Sequence, residues 1–272
     1  MSRSRTVATA RSLLFVPGSR PDRFVKAAAS GADNVIIDLE DAVAPDGKDA
    51  ARTAAVDYLR GSTALVRINA VDTPWYADDV AALAEATELV GIILPKAASV
   101  DAVQALVAAL PQGTPVLLLI ESALGVRDAG RLAEVSGVSR LLFGNLDFAL
   151  DAGISASSAE QTELRYVRSA LVVASRAAGL PGPVDGVHPD VSDPEGLRAT
   201  AGRARDLGFT GSLCIHPTQI EVVHAAFRPT EDELEWARRV LAADDANAVL
   251  VDGQMIDKPR WELARRLLRA AD

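Results

Sequence analysis

Short apolar runs and longer amphipathic stretches alternate along the whole chain. The runs are LLFV at 13–16, VIID at 35–38, ALVRI at 64–68, GIIL at 91–94, VLLLI at 116–120, RLLF at 140–143, VDGV at 184–187 and SLCI at 212–215. Each is short and mostly β-branched or leucine-rich, the pattern of a strand buried on both faces of a parallel sheet. Between them, GKDAARTAAVDYLRG and DAVQALVAAL carry apolar residues at helical spacing. In SRPDRFVKAAASG, Pro21 suits a first helical turn and Gly31 a helix exit. The starts of the runs recur mostly every 22–29 residues, one strand–helix unit each. The sixth interval is longer and leaves room for a long loop and a helix between Asp151 and Ala178.

Eight such units in a chain of 272 residues predict an α/β fold of the (β/α)8 TIM-barrel type. A doubly wound open sheet is the alternative. Against it, FVPGSRPDR after the first run is not the G-x-G-x-x-G turn that a dinucleotide needs. The barrel is expected over residues 1–228. Stretches 230–243 and 258–270 read as two more helices joined by NAVLVDGQMIDKPR, so 229–272 is expected to form a C-terminal helical extension.

Composition narrows the function. About half the residues are apolar and a quarter charged, as in ordinary globular proteins. With 37 acidic against 28 basic side chains the net charge is −9, which argues against a nucleic-acid partner. The single cysteine, Cys214, excludes an internal disulfide and a multi-thiolate metal site, and its place in SLCIHP predicts burial in a strand. No apolar run is long enough to cross a bilayer, so no membrane partner is expected. The segment MSRSRTVATARS lacks a signal-peptide apolar core, and a frayed tail and a cytoplasmic location are expected.

In such a barrel the C-terminal ends of the strands carry the chemistry. The runs end on Arg20, on Asp38, Glu40 and Asp41, on Arg67 and Asn69, on Lys96, on Glu121, on Asp147, on His188 and Asp190, and on His216. Glu121 and Asp147 follow adjacent apolar strands, and two carboxylates so placed suit a hard divalent cation. Three acids within VIIDLEDAV repel one another unless a cationic centre lies nearby. Glu40 or Asp41 can accept hydrogen bonds from water around such a metal, while Asp38 can pair with Lys96 or Arg67. His188 and His216 are expected to shape turns at the mouth, and His224 to be structural.

The motifs LLFVPGSRPDRFVKA, VIIDLEDAV, VRIN, ILPK, LIES, GNLDF, CIHPTQI and GQMIDKP follow one another in order. In these the chain resembles the citrate lyase β-subunit-like branch of the HpcH/HpaI aldolase superfamily, from about Leu13 to Leu268. The resemblance implies an Mg2+-dependent carbon–carbon lyase acting on a short 3-hydroxyacyl-CoA such as malyl-CoA, citramalyl-CoA or citryl-CoA, releasing an acyl-CoA and a 2-oxo acid. It implies Glu121 and Asp147 as Mg2+ ligands and Arg67 as the group holding substrate oxygens, with Asn69 and Lys96 beside the substrate. Phe15, Arg20 and Lys26 would lie at the coenzyme A site. Asp257 of GQMIDKP would be the acid/base group, supplied by a neighbouring subunit of a homotrimer or hexamer on which the extension packs. A class II aldolase for free pyruvate-type acids, or a β-subunit active only with acyl-carrier partners, are the other readings. Relatives often carry Glu before the metal-binding Asp, where this chain has Leu146.

Overall fold

The computed structural model describes residues 7–155, 160–243, 249–251 and 253–271. The expected frayed tail, residues 1–6, and part of the link after 243 lie outside the described residues. The chain divides into two compact units, Met1–Ala226 and Phe227–Asp272.

The first unit is a closed barrel of eight parallel strands in sequence order. They are β1 (Ser12–Pro17), β2 (Asn34–Asp38), β3 (Ala64–Arg67), β4 (Leu89–Leu94), β5 (Val116–Ile120), β6 (Val138–Phe143), β7 (Val184–Asp185) and β8 (Gly211–Cys214). β1 closes the ring by pairing with β8 at Leu13↔Leu213 and Leu14↔Cys214. Around it run α1 (Phe24–Ala28), α2 (Lys48–Tyr58), α3 (Tyr76–Ala84), α4 (Val100–Ala109), α5 (Ala123–Ala133), α6 (Asn145–Asp151), α7 (Arg165–Ala177), α8 (Pro194–Leu207) and α9 (Gln219–Ala226). Helix starts follow local chemistry: Ser99, Ser122 and Asp193 each accept a backbone N–H of the first turn of α4, α5 and α8.

The barrel lumen is packed with branched aliphatics, among them Ile36, Leu65, Ile93, Leu117, Leu142 and Leu213. Each such burial contributes roughly 1.5–3 kcal/mol, which is why the strands need apolar residues on both faces. The lower end is sealed differently. Fully buried Arg140 of β6 donates to the carbonyls of Val7, Ala10 and Gly182 and to the Thr210 hydroxyl, at 2.7–3.0 Å. Burial away from any paired carboxylate pushes its guanidinium down to about 9.

Cys214 is fully buried, which pushes its thiol up to about 12. His224 meets the Ser12 hydroxyl at 2.8 Å and the Asp33 carboxylate at 3.3 Å, a packing role. His216 bonds Thr218 within its own turn.

The second unit contains α10 (Glu231–Ala242), an antiparallel hairpin of β9 (Val249–Val251) and β10 (Gln254–Ile256), and α11 (Lys258–Ala271). Thr230 and Glu233 form a reciprocal cap at the start of α10. Ala237, Val240, Ile256, Trp261 and Ala264 form the core of this unit. The sequence pattern showed its two helices; the hairpin between them was read only as a link.

Candidate active site

The C-terminal ends of the barrel strands converge on a cavity of about 360 Å³. Phe15, Asp41, Arg67, Glu121 and Asp147, from five different strand ends, all line it. Arg67 is its organising cation. The guanidinium is nearly buried, and two of its nitrogens, Nε and Nη2, donate in parallel to the two oxygens of Asp38 at 2.7 Å each. Nη1 lies 3.0 Å from Glu40 and 3.7 Å from Asp41, and the plane sits over the Phe15 ring at 4.8 Å. Burial opposes this charge, but the Asp38 bonds and the surrounding carboxylates outweigh it and raise the pKa further above its ordinary value. Asp38 also accepts the backbone N–H groups of Glu40 and Ala42, at 2.9 and 3.1 Å. Of the two partners that the sequence allowed for Asp38, the structure selects Arg67. Lys96 pairs with Glu40 instead, at 3.0 Å.

Glu40 is buried, and burial raises its carboxyl although Arg67 and Lys96 pull the other way. Lys48, which sequence reasoning missed, donates to the carbonyls of Leu39 and Glu40 at 2.7 Å each and fixes the loop that carries the acids. Its only sequence signal was a lysine on the first turn of a helix.

Glu121 stands just beyond β5 and is 4% exposed. Burial, then the Glu40 and Asp147 charges, push its carboxyl up to about 8, against the Lys96 backbone N–H, which donates to it at 2.7 Å. Lys96 adopts φ +50° to aim that N–H. A left-handed non-glycine costs about 1–3 kcal/mol and persists at sites where the fold over-determines it. Gly144 lies against the other side of Glu121, where an added Cβ would come within 2.5 Å of the carboxylate. Asp147 is in the first turn of α6, directly after that glycine. The cluster thus carries more negative charge than Arg67 and Lys96 balance, with two hard oxygen donors on one cavity. Among the described residues no three His, Cys, Asp or Glu side chains form a closed metal cage. A hard divalent cation held by Glu121 and Asp147 would therefore keep positions for water and substrate oxygens, and it would relieve the charge that holds Glu121 protonated.

The remaining expected residues of the first unit do not line the cavity. The Asn69 amide and backbone both donate to Asp79, which Arg52 also engages, so its side chain braces the loop after β3. Arg20 is exposed and doubly bonded to Asp22, and Lys26 is exposed on α1; neither lines the cavity. Asp257 precedes α11 in the second unit, exposed, with one carboxylate oxygen 3.4 Å from the Arg260 N–H. His188 approaches Asp193 at 3.5 Å. Two buried amides escaped sequence reasoning altogether. Asn145 exchanges both hydrogen bonds with the backbone of Val187, at 3.0 and 3.1 Å. Gln219 accepts the N–H groups of Ile215 and His216 and donates to the His188 carbonyl.

Residues 11–217 match the family model of the HpcH/HpaI aldolase/citrate lyase proteins. The chain is 42% identical over 265 residues to a citrate lyase subunit beta-like protein of Mycobacterium tuberculosis, covering 95% of this chain and 94% of that one. It is 36% identical to an L-malyl-CoA/beta-methylmalyl-CoA lyase of Cereibacter sphaeroides, with coverage of 96% and 94%. The crystal structure of CitE from Mycobacterium tuberculosis in complex with magnesium, acetoacetate and coenzyme A superposes with a TM-score of 0.85 at 39% identity, covering 97% of this chain and 98% of that one. The chain belongs to the HpcH/HpaI aldolase/citrate lyase family.

Proposed function

We propose that this family member is an Mg2+-dependent carbon–carbon lyase that cleaves a short 3-hydroxyacyl-CoA to an acyl-CoA and a 2-oxo acid, reversibly. The observation that carries the reading is the paired arrangement of Arg67, locked on Asp38, and Glu121, buried beside Asp147 with a carboxyl that a cation would return to its charged form. Relatives with a malyl-CoA lyase name and a magnesium- and coenzyme A-bound structure support the same class.

Glu121 and Asp147 would hold Mg2+, which supplies Lewis-acid charge that lowers the pKa of a substrate hydroxyl and offsets developing negative charge. Arg67 is held permanently charged, and its Nη1 edge faces the cavity side of Glu40 and Asp41, ready to pair with carboxylate and carbonyl oxygens of the substrate. In cleavage the hydroxyl passes its proton to water at the mouth beside Asp41, and its C–O bond becomes the carbonyl of the 2-oxo acid. The bond between the carbinol carbon and the thioester α-carbon breaks, and its electron pair passes into a thioester enolate. Arg67 needs no reorganisation to meet that charge, and removing one such donor typically costs about 10²–10³ in rate. The enolate carbon then takes a proton from an acid, the role assigned to Asp257 of a neighbouring subunit in a trimer or hexamer. Asp41, half exposed on the cavity, would hold water at the mouth, while buried Glu40 holds Arg67 and Lys96. Arg20 and Lys26 would meet the coenzyme A phosphates, which requires Arg20 to leave its exposed pair with Asp22.

The test is hydrogen exchange in D2O. The α-protons of acetyl-CoA or propionyl-CoA are expected to exchange only with protein and Mg2+ present, and mixing Arg67→Ala with Asp257→Ala chains should restore part of the lost turnover. Exchange of the pyruvate methyl, with acyl-CoA untouched, would instead establish a free-acid aldolase.

A further inference from the structure

The cavity is chemically two-sided. Its charges come from the ends of β2 and β3, the loops after β2 and β5, and Asp147 in the first turn of α6, whereas the exits of β7 and β8 contribute Val187 and Ile215, next to Leu146 of that same turn. Leu146 and Ile215 are 49% and 41% exposed, apolar surface left open at the lip of an ionic site. They are also held in place. Asn145, beside Leu146, clamps the Val187 backbone through both its amide groups, and Gln219 clamps the N–H of Ile215. Gly186 keeps that clamp tight, since an added Cβ would run into the Asn145 amide. Two buried amides thus fix the backbone that carries Val187 and Ile215 next to Leu146, the preorganisation that a recognition surface needs.

From this we infer that Leu146, Val187 and Ile215 form an apolar subsite for an alkyl substituent on the hydroxyl-bearing carbon of the substrate, and that they disfavour a carboxymethyl group there. The inference rests on the lyase reading. With the carboxylate and hydroxyl drawn to Arg67 and the Glu121–Asp147 pair, the third substituent of that carbon faces the uncharged side. A carboxylate in that position would meet no free cation: among the described residues that line the cavity, Arg67 is the one basic side chain, Asp38 holds two of its nitrogens, and the substrate's other carboxylate takes the Nη1 edge.

The experiment compares 3-hydroxyacyl-CoA substrates bearing hydrogen, methyl, ethyl or carboxymethyl on the hydroxyl-bearing carbon. In the wild type, kcat/KM for methyl or ethyl should exceed hydrogen by about tenfold or more, with carboxymethyl lowest. The double variant Leu146→Ala, Ile215→Ala should reduce the alkyl preference to roughly threefold or less. Leu146→Lys should improve carboxymethyl relative to methyl by about tenfold, because it supplies the missing cation. An equal loss for all substrates would assign these side chains to the coenzyme A arm and overturn the inference, as would a wild-type preference for carboxymethyl. If no thioester is cleaved, the lyase reading fails, and calorimetry with Mg2+ then reads the subsite alone. Tighter binding of 2-oxobutyrate than of oxaloacetate, abolished in the double variant, supports the subsite; equal binding overturns it.

Discussion

Asp38→Asn tests the arrangement on which the site depends. The substitution preserves shape and removes one charge. Four donors reach the Asp38 carboxylate: two from Arg67 at 2.7 Å, and the N–H groups of Glu40 and Ala42. An asparagine offers one acceptor oxygen and turns an NH2 toward the others. The Asp38 and Arg67 side chains are 3% and 10% exposed, so the pair is a buried one. Removing one partner of a buried pair costs about 3–5 kcal/mol. Arg67 keeps Glu40 at 3.0 Å and Asp41 at 3.7 Å, which places the cost near the lower bound. About 3 kcal/mol lowers the Tm of a domain of this size by about 6–12 °C. The released guanidinium also loses its orientation, and a displacement near 1 Å costs about 10² in kcat/KM. Thermal melting and thioester cleavage are measured on the same preparation. A Tm unchanged within a degree or so together with kcat/KM within about threefold of wild type would refute the claim that Asp38 sets the Arg67 geometry.

Three other outcomes are expected. Gly144→Ala forces the Glu121 carboxylate to move, so Mg2+ affinity by calorimetry should weaken about 10–100-fold; unchanged affinity means that the glycine is not needed for the ligand geometry. In EDTA, stability in urea should decline as pH rises from about 4.5 to about 8. The folded protein keeps a proton on Glu121 that the unfolded chain releases at the lower value, and the slope should shrink in Glu121→Gln to what raised Glu40 still contributes. Mg2+ should stabilise increasingly over the same window, since its ligand must be deprotonated. Arg140→Met leaves the Val7 and Ala10 carbonyls without this donor, and the urea midpoint should report a loss of roughly 2–6 kcal/mol; a wild-type midpoint means that the barrel floor does not rely on that guanidinium.

The barrel was readable because both faces of its strands are buried. The run at 116–120 coincides with β5, and 35–38 differs from β2 by one residue. The VDGV run was read too long: β7 is only Val184–Asp185, because Gly186 and Val187 leave the ladder to meet Asn145. Strand ends likewise revealed Arg67, Glu121 and Asp147, since ionisable groups that follow apolar strands in this fold share one mouth. Pairings across the ring were not readable. Asp38 had two cationic candidates, both at the ends of later strands, and only the folded barrel decided between them. The same holds for Asn145 and for the NH2 of Gln219, whose partners lie 42 and 31 residues away and are backbone groups, which leave no side-chain pattern in the sequence. Lys96 read as a charge at a strand end, but its backbone N–H, aimed by a left-handed turn, is the group that reaches Glu121.

The central claim is that Glu121 and a divalent cation together make Arg67 a lyase centre. The most direct measurement is single-turnover release of the 2-oxo acid from a methyl-bearing 3-hydroxyacyl-CoA, with Mg2+ and with EDTA, in the wild type and in Glu121→Gln. Release by the wild type with Mg2+, at least about 10²-fold faster than in EDTA or in the variant, is the expected result. Equal release in EDTA, or full activity of a folded Glu121→Gln protein, would contradict it.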